Sequence, residues 1–144
     1  MDQPPSWLLT QAAAHAGRLV SDGFGAIGAR GYHFRLLSSL LDDGPASQAA
    51  LGRRTGIHLS DMVTALNELE ADGYVARSPD PADRRRNVIT VTGPGEARAA
   101  ELRRQVHAIQ EELLEPLSSQ ERRQLIEILG KLLAHHRPGV SPSA

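Results

Sequence analysis

The 144-residue sequence contains no cysteine and no long hydrophobic run. The absence of cysteine excludes disulfide bonds, thiol redox sensing and any zinc site with sulfur ligands. No segment approaches the roughly 18 to 20 apolar residues that a membrane-spanning helix needs. The N-terminus has no basic segment, and its apolar run is too short and too broken for a signal peptide. These absences predict a soluble, cytoplasmic protein that does not contact a membrane.

A general excess of positive charge is also missing. The chain has 16 Lys and Arg residues against 17 Asp and Glu residues. Its overall field therefore does not attract nucleic acid, and any such binding must come from local charge. The densest positive charge is the run of arginines at 84–86, in the stretch SPDPADRRRNVITVT (78–92). This tip is the first candidate for a functional feature.

Two helices are predicted before the middle of the chain. In the first, Leu8, Ala12, His15 and Leu19 recur at steps of four, three and four, which is one face of a helix. The second is predicted for residues 32–41, with its leucines at 36, 37, 40 and 41 on one side.

A helix-turn-helix pattern follows in the stretch SQAALGRRTG and the residues after it. Ser47 can cap a short helix, and Gly56 can end it. A longer helix is predicted from near Ser60 to Asp72. Two helices joined by a tight turn that contains glycine are the arrangement of a helix-turn-helix.

The sequence pattern then changes from that of helices to that of two strands joined in a hairpin. Residues 74–77 and 88–91 are rich in strand-forming side chains, and the residues between them favour turns. Helical patterns return after Gly95 and include the capping box SSQE at 118–121. The predicted fold is mainly α with a small β-hairpin wing, that is, a winged helix-turn-helix flanked by N- and C-terminal helices.

Three parts are predicted along the chain. Residues 1–30 form the N-terminal helix of a dimerisation region, residues 31–92 the winged helix-turn-helix DNA-binding module, and residues 93–144 the C-terminal dimerisation helices with a flexible tail. The end helices each carry an apolar stripe that the module cannot fully cover. A twofold homodimer is therefore expected.

Three segments carry a resemblance to a known family. They are GYHFRLLSSLLDDGPASQAALGRRTGI (31–57), LNELEADGYVAR (66–77) and DPADRRRNVITVTGPG (80–95). In this order they resemble the second and third helices, the end of the recognition helix and the wing of the MarR family of bacterial winged-helix regulators. The resemblance implies a homodimeric transcriptional repressor on a pseudo-palindromic, double-stranded DNA operator. Release by a small aromatic or phenolic effector is one option within that family.

The predicted recognition helix has an apolar and a polar face. Met62, Leu66 and Leu69 fall in one sector at about 100° per residue, so they face the core. The opposite face offers hydroxyls, an amide and a methyl group to base edges in a major groove. No Lys or Arg occurs in residues 57–74. The residues predicted to contact DNA from this helix are His58, Ser60, Asp61, Val63, Thr64 and Asn67.

The wing is expected to contact the minor groove and the phosphates. By resemblance, Arg85 matches the family's minor-groove arginine and Asp83 the residue that orients it. Arg84 and Arg86 are expected to contact phosphates. The alternative is that this charged tip is a solvated loop. Further contacts to the DNA backbone are predicted for Ser47, Arg53, Arg54 and Arg77.

The module is nevertheless formally neutral. Residues 47–92 contain six arginines and six carboxylates. Phosphate contact supplies most non-specific affinity for DNA, so random DNA should bind weakly. Binding should have a modest salt dependence and should require the correct operator.

An effector site is predicted near the start of the chain. His15 and Arg18 lie on the first helix, and Tyr32 and His33 begin the second. An imidazole and a guanidinium near aromatic rings can hold a carboxylate or phenolate. The alternative is that His15 is a core or interface histidine and Arg18 is solvated. No cofactor and no metal site is expected, because no cysteine or His-x3-His pair is present.

Two classes of function remain. The first is the sequence-specific regulator, and the second is a winged-helix protein-interaction module with weak or lost DNA binding. The neutral charge favours the second, whereas the DPADRR wing favours the first. An enzyme is not expected, because the chain has no nucleophile motif, no phosphate-binding loop and no catalytic spacing of His and carboxylates.

Overall fold

A computed structural model describes residues 2–137 as six helices and two strands. The prediction of a mainly α fold with a hairpin wing is confirmed. The predicted flexible tail, apart from Arg137, lies outside the described residues. The elements are α1 (Pro5–Gly25), α2 (Gly31–Asp43), α3 (Gln48–Thr55), α4 (Leu59–Ala71), β1 (Val75–Pro79), β2 (Asn87–Val91), α5 (Gly93–Leu113) and α6 (Ser119–His136).

The chain divides into two compact units after Ile109. The first unit contains α1 to α4, the hairpin and most of α5. The second contains the end of α5 and α6. The boundaries predicted near residues 30 and 92 separate functional parts and stay a prediction. Within residues 2–137, no helix is both long and apolar enough to span a membrane.

The first helix of the helix-turn-helix is capped and ended as its sequence predicts. The Ser47 hydroxyl accepts a hydrogen bond from the Ala50 amide at 3.2 Å and caps α3. Gly56 follows α3 with φ 69°, a left-handed conformation that favours glycine. The next helix, α4, starts at Leu59, one residue before the predicted Ser60.

The leucine side predicted for α2 is buried only in part. Leu36, Leu37 and Leu40 are buried, but Leu41 is 39% exposed. At 100° per residue, Leu41 lies about 140° around the helix from Leu36, at the margin of the apolar stripe. A run of leucines is therefore wider than the face that this helix buries.

The wing is an antiparallel pair in which Val75 lies opposite Val91 and Pro79 opposite Asn87. A backbone contact that no sequence pattern predicts fixes the base of the wing. Ala46, in the connection between α2 and α3, donates its amide to the Ile89 carbonyl at 3.2 Å and accepts from the Ile89 amide at 2.8 Å. This isolated bridge joins the wing to the helix-turn-helix.

The turn from β2 into α5 is built around Thr92. Its hydroxyl donates to the Gly73 carbonyl at 2.6 Å and accepts from the Gly95 amide at 3.1 Å. A Cβ on Gly95 would lie 2.0 Å from the carbonyl oxygen of Tyr74. The start of α5 can therefore approach the wing this closely only with glycine at this position.

Two long side chains of α5 hold the end of α1. The Gln105 amide donates to the Gly23 carbonyl at 2.8 Å, and Arg98 donates to the Ile27 carbonyl at 2.6 Å. The Arg98 guanidinium also lies 5.6 Å from the centre of the Tyr74 ring. In the first unit, α1, α5 and the base of the wing thus surround one core. Its fully buried large side chains are Leu36, Leu37, Leu51, Met62, Leu66, Leu69, Ile89 and Leu102.

The second unit contains the capping box that the sequence predicts. The Ser118 hydroxyl accepts from the Glu121 amide at 3.2 Å, and the Glu121 carboxylate accepts from the Ser118 amide at 2.9 Å. The hydrogen bond from the Ser118 amide is the main cause that lowers the pKa of Glu121 below its ordinary value, and the Ser118 hydroxyl lowers it further. The reciprocal cap fixes the start of α6.

Candidate nucleic-acid interface

The recognition helix α4 separates its two faces as the sequence predicts. Met62, Leu66 and Leu69 are each no more than 1% exposed. Hydroxyl, amide, carboxylate and methyl groups cover the other side. The exposed residues among those predicted to contact DNA are His58, Ser60, Asp61, Val63, Thr64 and Asn67, which is all six.

Local hydrogen bonds already use part of the polar face of α4. His58 precedes the helix, and its Nδ1 lies 3.1 Å from the Ser60 hydroxyl. The Thr64 hydroxyl donates to the Ser60 carbonyl at 3.1 Å. Asn67 accepts a hydrogen bond on Oδ1 from Arg77 at 3.1 Å. The face is therefore partly ordered before any ligand arrives.

The wing tip is shaped by a compact set of hydrogen bonds. The Asp80 amide donates to the Arg86 carbonyl at 2.8 Å, and the Arg86 amide donates to the Asp83 carbonyl at 2.9 Å. The Asp80 carboxylate accepts from the Ala82 amide at 2.9 Å, as in an Asx turn. These contacts fold the segment into a tight turn at the end of the hairpin.

Asp83 organises two of the three arginines at this tip. Its Oδ1 accepts from both the backbone amide and Nε of Arg85, at 3.1 and 3.2 Å. Its Oδ2 lies 3.8 Å from Nε of Arg86. The hydrogen bond from the Arg85 side chain is the main cause that lowers the pKa of Asp83, so Asp83 is charged at neutral pH. The Arg85 side chain itself is 92% exposed, which leaves its far end free to enter a groove.

A concave, arginine-rich surface lies beside the base of the wing. It encloses a cavity of about 420 Å³ between the start of α3 and the hairpin. Ser47 and Arg53 line it from the α3 side, and Arg77 and Arg86 line it from the hairpin. This cavity brings together four of the residues predicted to contact DNA.

The remaining predicted arginines have different surroundings. Arg54 donates to the Gly44 carbonyl at 3.0 Å, which ties α3 to the end of α2. Arg84 is exposed, and within residues 2–137 it takes part in no hydrogen bond or ion pair. Its contact with phosphate, like that of Arg54, stays a prediction.

The four predicted effector residues form two separate pairs. His15 and Arg18 are exposed on α1 and contact each other through Nδ1 and Nη2. Tyr32 is 41% exposed, whereas His33 is buried and faces Glu68 of α4. Among the described residues, no hydrogen bond or ion pair joins the two pairs.

Two further cavities lie near these residues, and both are bordered by Arg30. One of about 440 Å³ is lined by Tyr32, Thr64 and Glu68 among others, and the other, of about 460 Å³, lies between α1 and the start of α2. His15, Arg18 and His33 line neither of them. Sequence reasoning missed Arg30, because a single arginine before a helix carries no distinguishing pattern. Across the part of the chain that is described, no cluster of three or more His, Asp or Glu side chains could hold a metal ion.

Three helices, a tight turn and an arginine-tipped hairpin define a winged helix-turn-helix protein. Residues 28–86 match the model of the MarR family. The resemblance of the sequence to this family of winged-helix transcriptional regulators is thereby confirmed.

Individual proteins agree with this resemblance. The chain is 29% identical over 97 residues to YdgJ of Bacillus subtilis (strain 168), an uncharacterized HTH-type transcriptional regulator. That match covers 67% of this chain and 59% of YdgJ.

Solved structures share the fold over most of the chain. A probable transcriptional regulator from Pseudomonas aeruginosa is 29% identical, with a TM-score of 0.79 over 91% of this chain and 98% of its own. BpsR of Bordetella bronchiseptica, whose DNA binding is regulated by 6-hydroxynicotinic acid, is 25% identical, with a TM-score of 0.79 over 90% of this chain and 93% of its own.

Proposed function

We propose that this chain is a sequence-specific regulator that binds double-stranded DNA as a homodimer. It would act as a repressor by occupying a pseudo-palindromic operator. In this arrangement α4 enters the major groove, and Arg85 enters the adjacent minor groove. The two half-sites would lie roughly 10 base pairs apart, centre to centre.

The observation that carries the proposal is the position of Arg77. It contacts Asn67 on the exposed face of α4 and lines the same cavity as Arg86 at the base of the wing. The recognition helix, the start of α3 and the wing therefore form one continuous surface. Such a surface suits a ligand that presents a groove and two phosphate backbones together.

Exposed apolar side chains support a dimer. In the first unit, Trp7, Leu8 and Leu9 of α1 are 43–48% exposed. In the second, Ile126, Ile128, Leu132 and Leu133 of α6 are 40–68% exposed. A second copy of the chain would remove these side chains from water. Light scattering after gel filtration should give the mass of two chains, and the mass of one chain would contradict the dimer.

A small aromatic effector is proposed by analogy with BpsR. The cavity between α1 and the start of α2 is lined by the apolar side chains of Val20 and Phe24 and by Arg30, whose guanidinium lies 3.5 Å from the Glu68 carboxylate. A guanidinium can pair with a carboxylate, and the apolar wall can accept a ring. The first compound to test is 6-hydroxynicotinic acid, which should weaken the complex with DNA. Equal DNA binding with and without it would remove this compound as the effector.

The test of DNA binding is an anisotropy titration at two salt concentrations. The DNA upstream of the chain's own gene is compared with shuffled DNA of equal composition. A preference of tenfold or more, about 1.4 kcal/mol, is expected for the upstream DNA. Arg85→Ala should remove most of this preference. Arg84→Ala is the matched control, because it also removes one positive charge. It should weaken the binding of both DNAs equally.

A protein-interaction module is the second candidate. The formal neutrality of residues 47–92 favours it, because phosphate attraction is then weak. Binding of the wild-type chain without preference at either salt concentration would favour this candidate over the regulator. Capture of protein partners with the purified chain would then follow.

A further inference from the structure

The exposed face of α4 is chemically asymmetric, because the protein itself occupies part of its hydrogen-bonding capacity. Thr64 donates its hydroxyl proton to the Ser60 carbonyl at 3.1 Å, so its oxygen is left as an acceptor. Asn67 accepts from Arg77 on Oδ1 at 3.1 Å. Its amide nitrogen therefore lies on the other side of the group.

Chemistry alone fixes the orientation of the Asn67 amide. Arginine has only donors, so the amide atom nearest to Arg77 must be the oxygen. Within residues 2–137, no hydrogen bond occupies the Asn67 nitrogen, and this residue is exposed. A freely turning amide would present oxygen and nitrogen equally, whereas this one presents its two N–H donors.

Arg77 is itself held in place. Its guanidinium lies 3.6 Å from a Glu70 carboxylate oxygen, on the same helix as Asn67. The Arg77 side chain is only 24% exposed, much less than the 92% of Arg85 at the wing tip. An arginine bound by two neighbours at the base of the wing is poorly placed to act as a mobile phosphate contact.

We propose that Arg77 is a positioning residue, which turns Asn67 into a donor-only reader of the operator. Asn67 would donate to an acceptor on the major-groove edge, which is purine N7, guanine O6 or thymine O4. This inference rests on the proposed function and goes beyond it. It assigns one base contact and gives Arg77 a role in specificity instead of backbone affinity.

The test compares wild type, Asn67→Ala, Arg77→Lys and Arg53→Gln on operators that carry single base-pair changes. Arg77→Lys keeps the positive charge, but its side chain ends one atom short of Nη1, the atom that donates to Asn67. Arg53→Gln is the matched control, because Arg53 lines the same cavity and was predicted to contact only the backbone. Thermal melting of each variant establishes that it is folded.

A single hydrogen bond corresponds to about five- to tenfold in affinity. Asn67→Ala and Arg77→Lys should each reduce discrimination by this factor at the same one base pair of each half-site. Arg77→Lys should leave the salt dependence unchanged. Arg53→Gln should weaken all operators equally and lower the slope of log K against log [salt] by about 1.

Replacing the acceptor tests the contact directly. At the base pair so identified, 7-deazapurine or 4-thiothymine should weaken the binding of wild type by about five- to tenfold. The same replacement should not weaken the binding of Asn67→Ala further. Discrimination that survives both Asn67→Ala and Arg77→Lys at every position would overturn the inference, even where wild type prefers its operator. A wild-type chain without any sequence preference would overturn the proposed function as well, so the two failures are distinguishable.

Discussion

The imidazole of His33 faces the carboxylate of Glu68 across the interface of α2 and α4, with Nε2 and Oε2 3.8 Å apart. His33 is only 4% exposed, and neither its Nε2 nor Oε1 of Glu68 has a hydrogen-bond partner. Burial is the main cause that lowers the pKa of His33 below its ordinary value of 6.5. Glu68 and Asp72 act in the opposite direction, while Arg98 and Arg30 lower the pKa further.

This arrangement makes the stability of the protein depend on pH. The unfolded chain takes up a proton at His33 near pH 6.5, while the folded chain resists it until a lower pH. The free energy of unfolding should therefore fall as the pH drops below 6.5, by up to about 1.4 kcal/mol per pH unit for this one group. Urea unfolding at pH 5.5 and 7.5 measures it, in wild type and in His33→Gln.

The loss of stability in acid should be smaller in His33→Gln than in wild type. His107→Gln is the control, because His107 is exposed on α5. That variant should keep the pH dependence of wild type. Identical curves for His33→Gln and wild type would show that burial of this imidazole does not govern the acid response.

Removal of the Asp83 carboxylate should lower the affinity for operator DNA but not the affinity for shuffled DNA. Asp83→Ala frees the Arg85 side chain from its 3.2 Å contact, so operator affinity should fall about three- to tenfold. The same change removes one negative charge from the tip, so affinity for shuffled DNA should rise or stay equal. Anisotropy titrations of both DNAs measure the two effects. A parallel rise for both would mean that Asp83 only repels phosphate and does not orient Arg85.

Arg98 should contribute to stability through three contacts. It donates to the Ile27 carbonyl and to the Glu101 carboxylate, and it lies over the Tyr74 ring. Lysine lacks the planar guanidinium that makes these contacts. Arg98→Lys should therefore lower the free energy of unfolding by about 1–3 kcal/mol. Arg103→Lys, an exposed position on the same helix, should change stability by less than about 0.5 kcal/mol. Equal midpoints of urea unfolding for the two variants would argue against a structural role for Arg98.

Two glycines should respond in opposite directions to the same change. Gly95→Ala places a Cβ 2.0 Å from the Tyr74 carbonyl oxygen. This change should lower the free energy of unfolding by about 1–3 kcal/mol or more. Gly130→Ala meets no atom within 4 Å in α6 and should gain about 0.5–1 kcal/mol from better helix propensity. Thermal melting gives both shifts. A Gly95→Ala protein as stable as wild type would mean that α5 can move away from the wing without loss.

The sequence predicts local features of this protein well. The contact between Asp83 and Arg85 spans two residues, and the Ser118 capping box spans three, so spacing alone indicates both. The faces of α4 follow from the helical period. In each case the relevant atoms are close because the chain is short between them.

Features that depend on distant segments could not be read in this way. Arg98 reaches a carbonyl 71 residues away, and Gln105 reaches one 82 residues away. Their acceptors are backbone carbonyls, which every residue carries, so no side-chain pattern marks the pair. His33 is a related case: its sequence position suggested an effector contact, yet the packing of α2 on α4 buries it against Glu68.

The contacts at the wing tip restrict insertions and deletions in this segment of the chain. The contacts that aim Arg85 all lie within residues 80–86 and depend on spacings of two, three and six residues. Substitutions elsewhere leave these spacings intact, so related sequences can diverge widely and keep the contacts between Asp83 and the arginines. Insertion or deletion of one residue between Asp83 and Arg85 would change all three spacings at once. The segment should therefore be inherited as a unit of fixed length, while the loops around it vary.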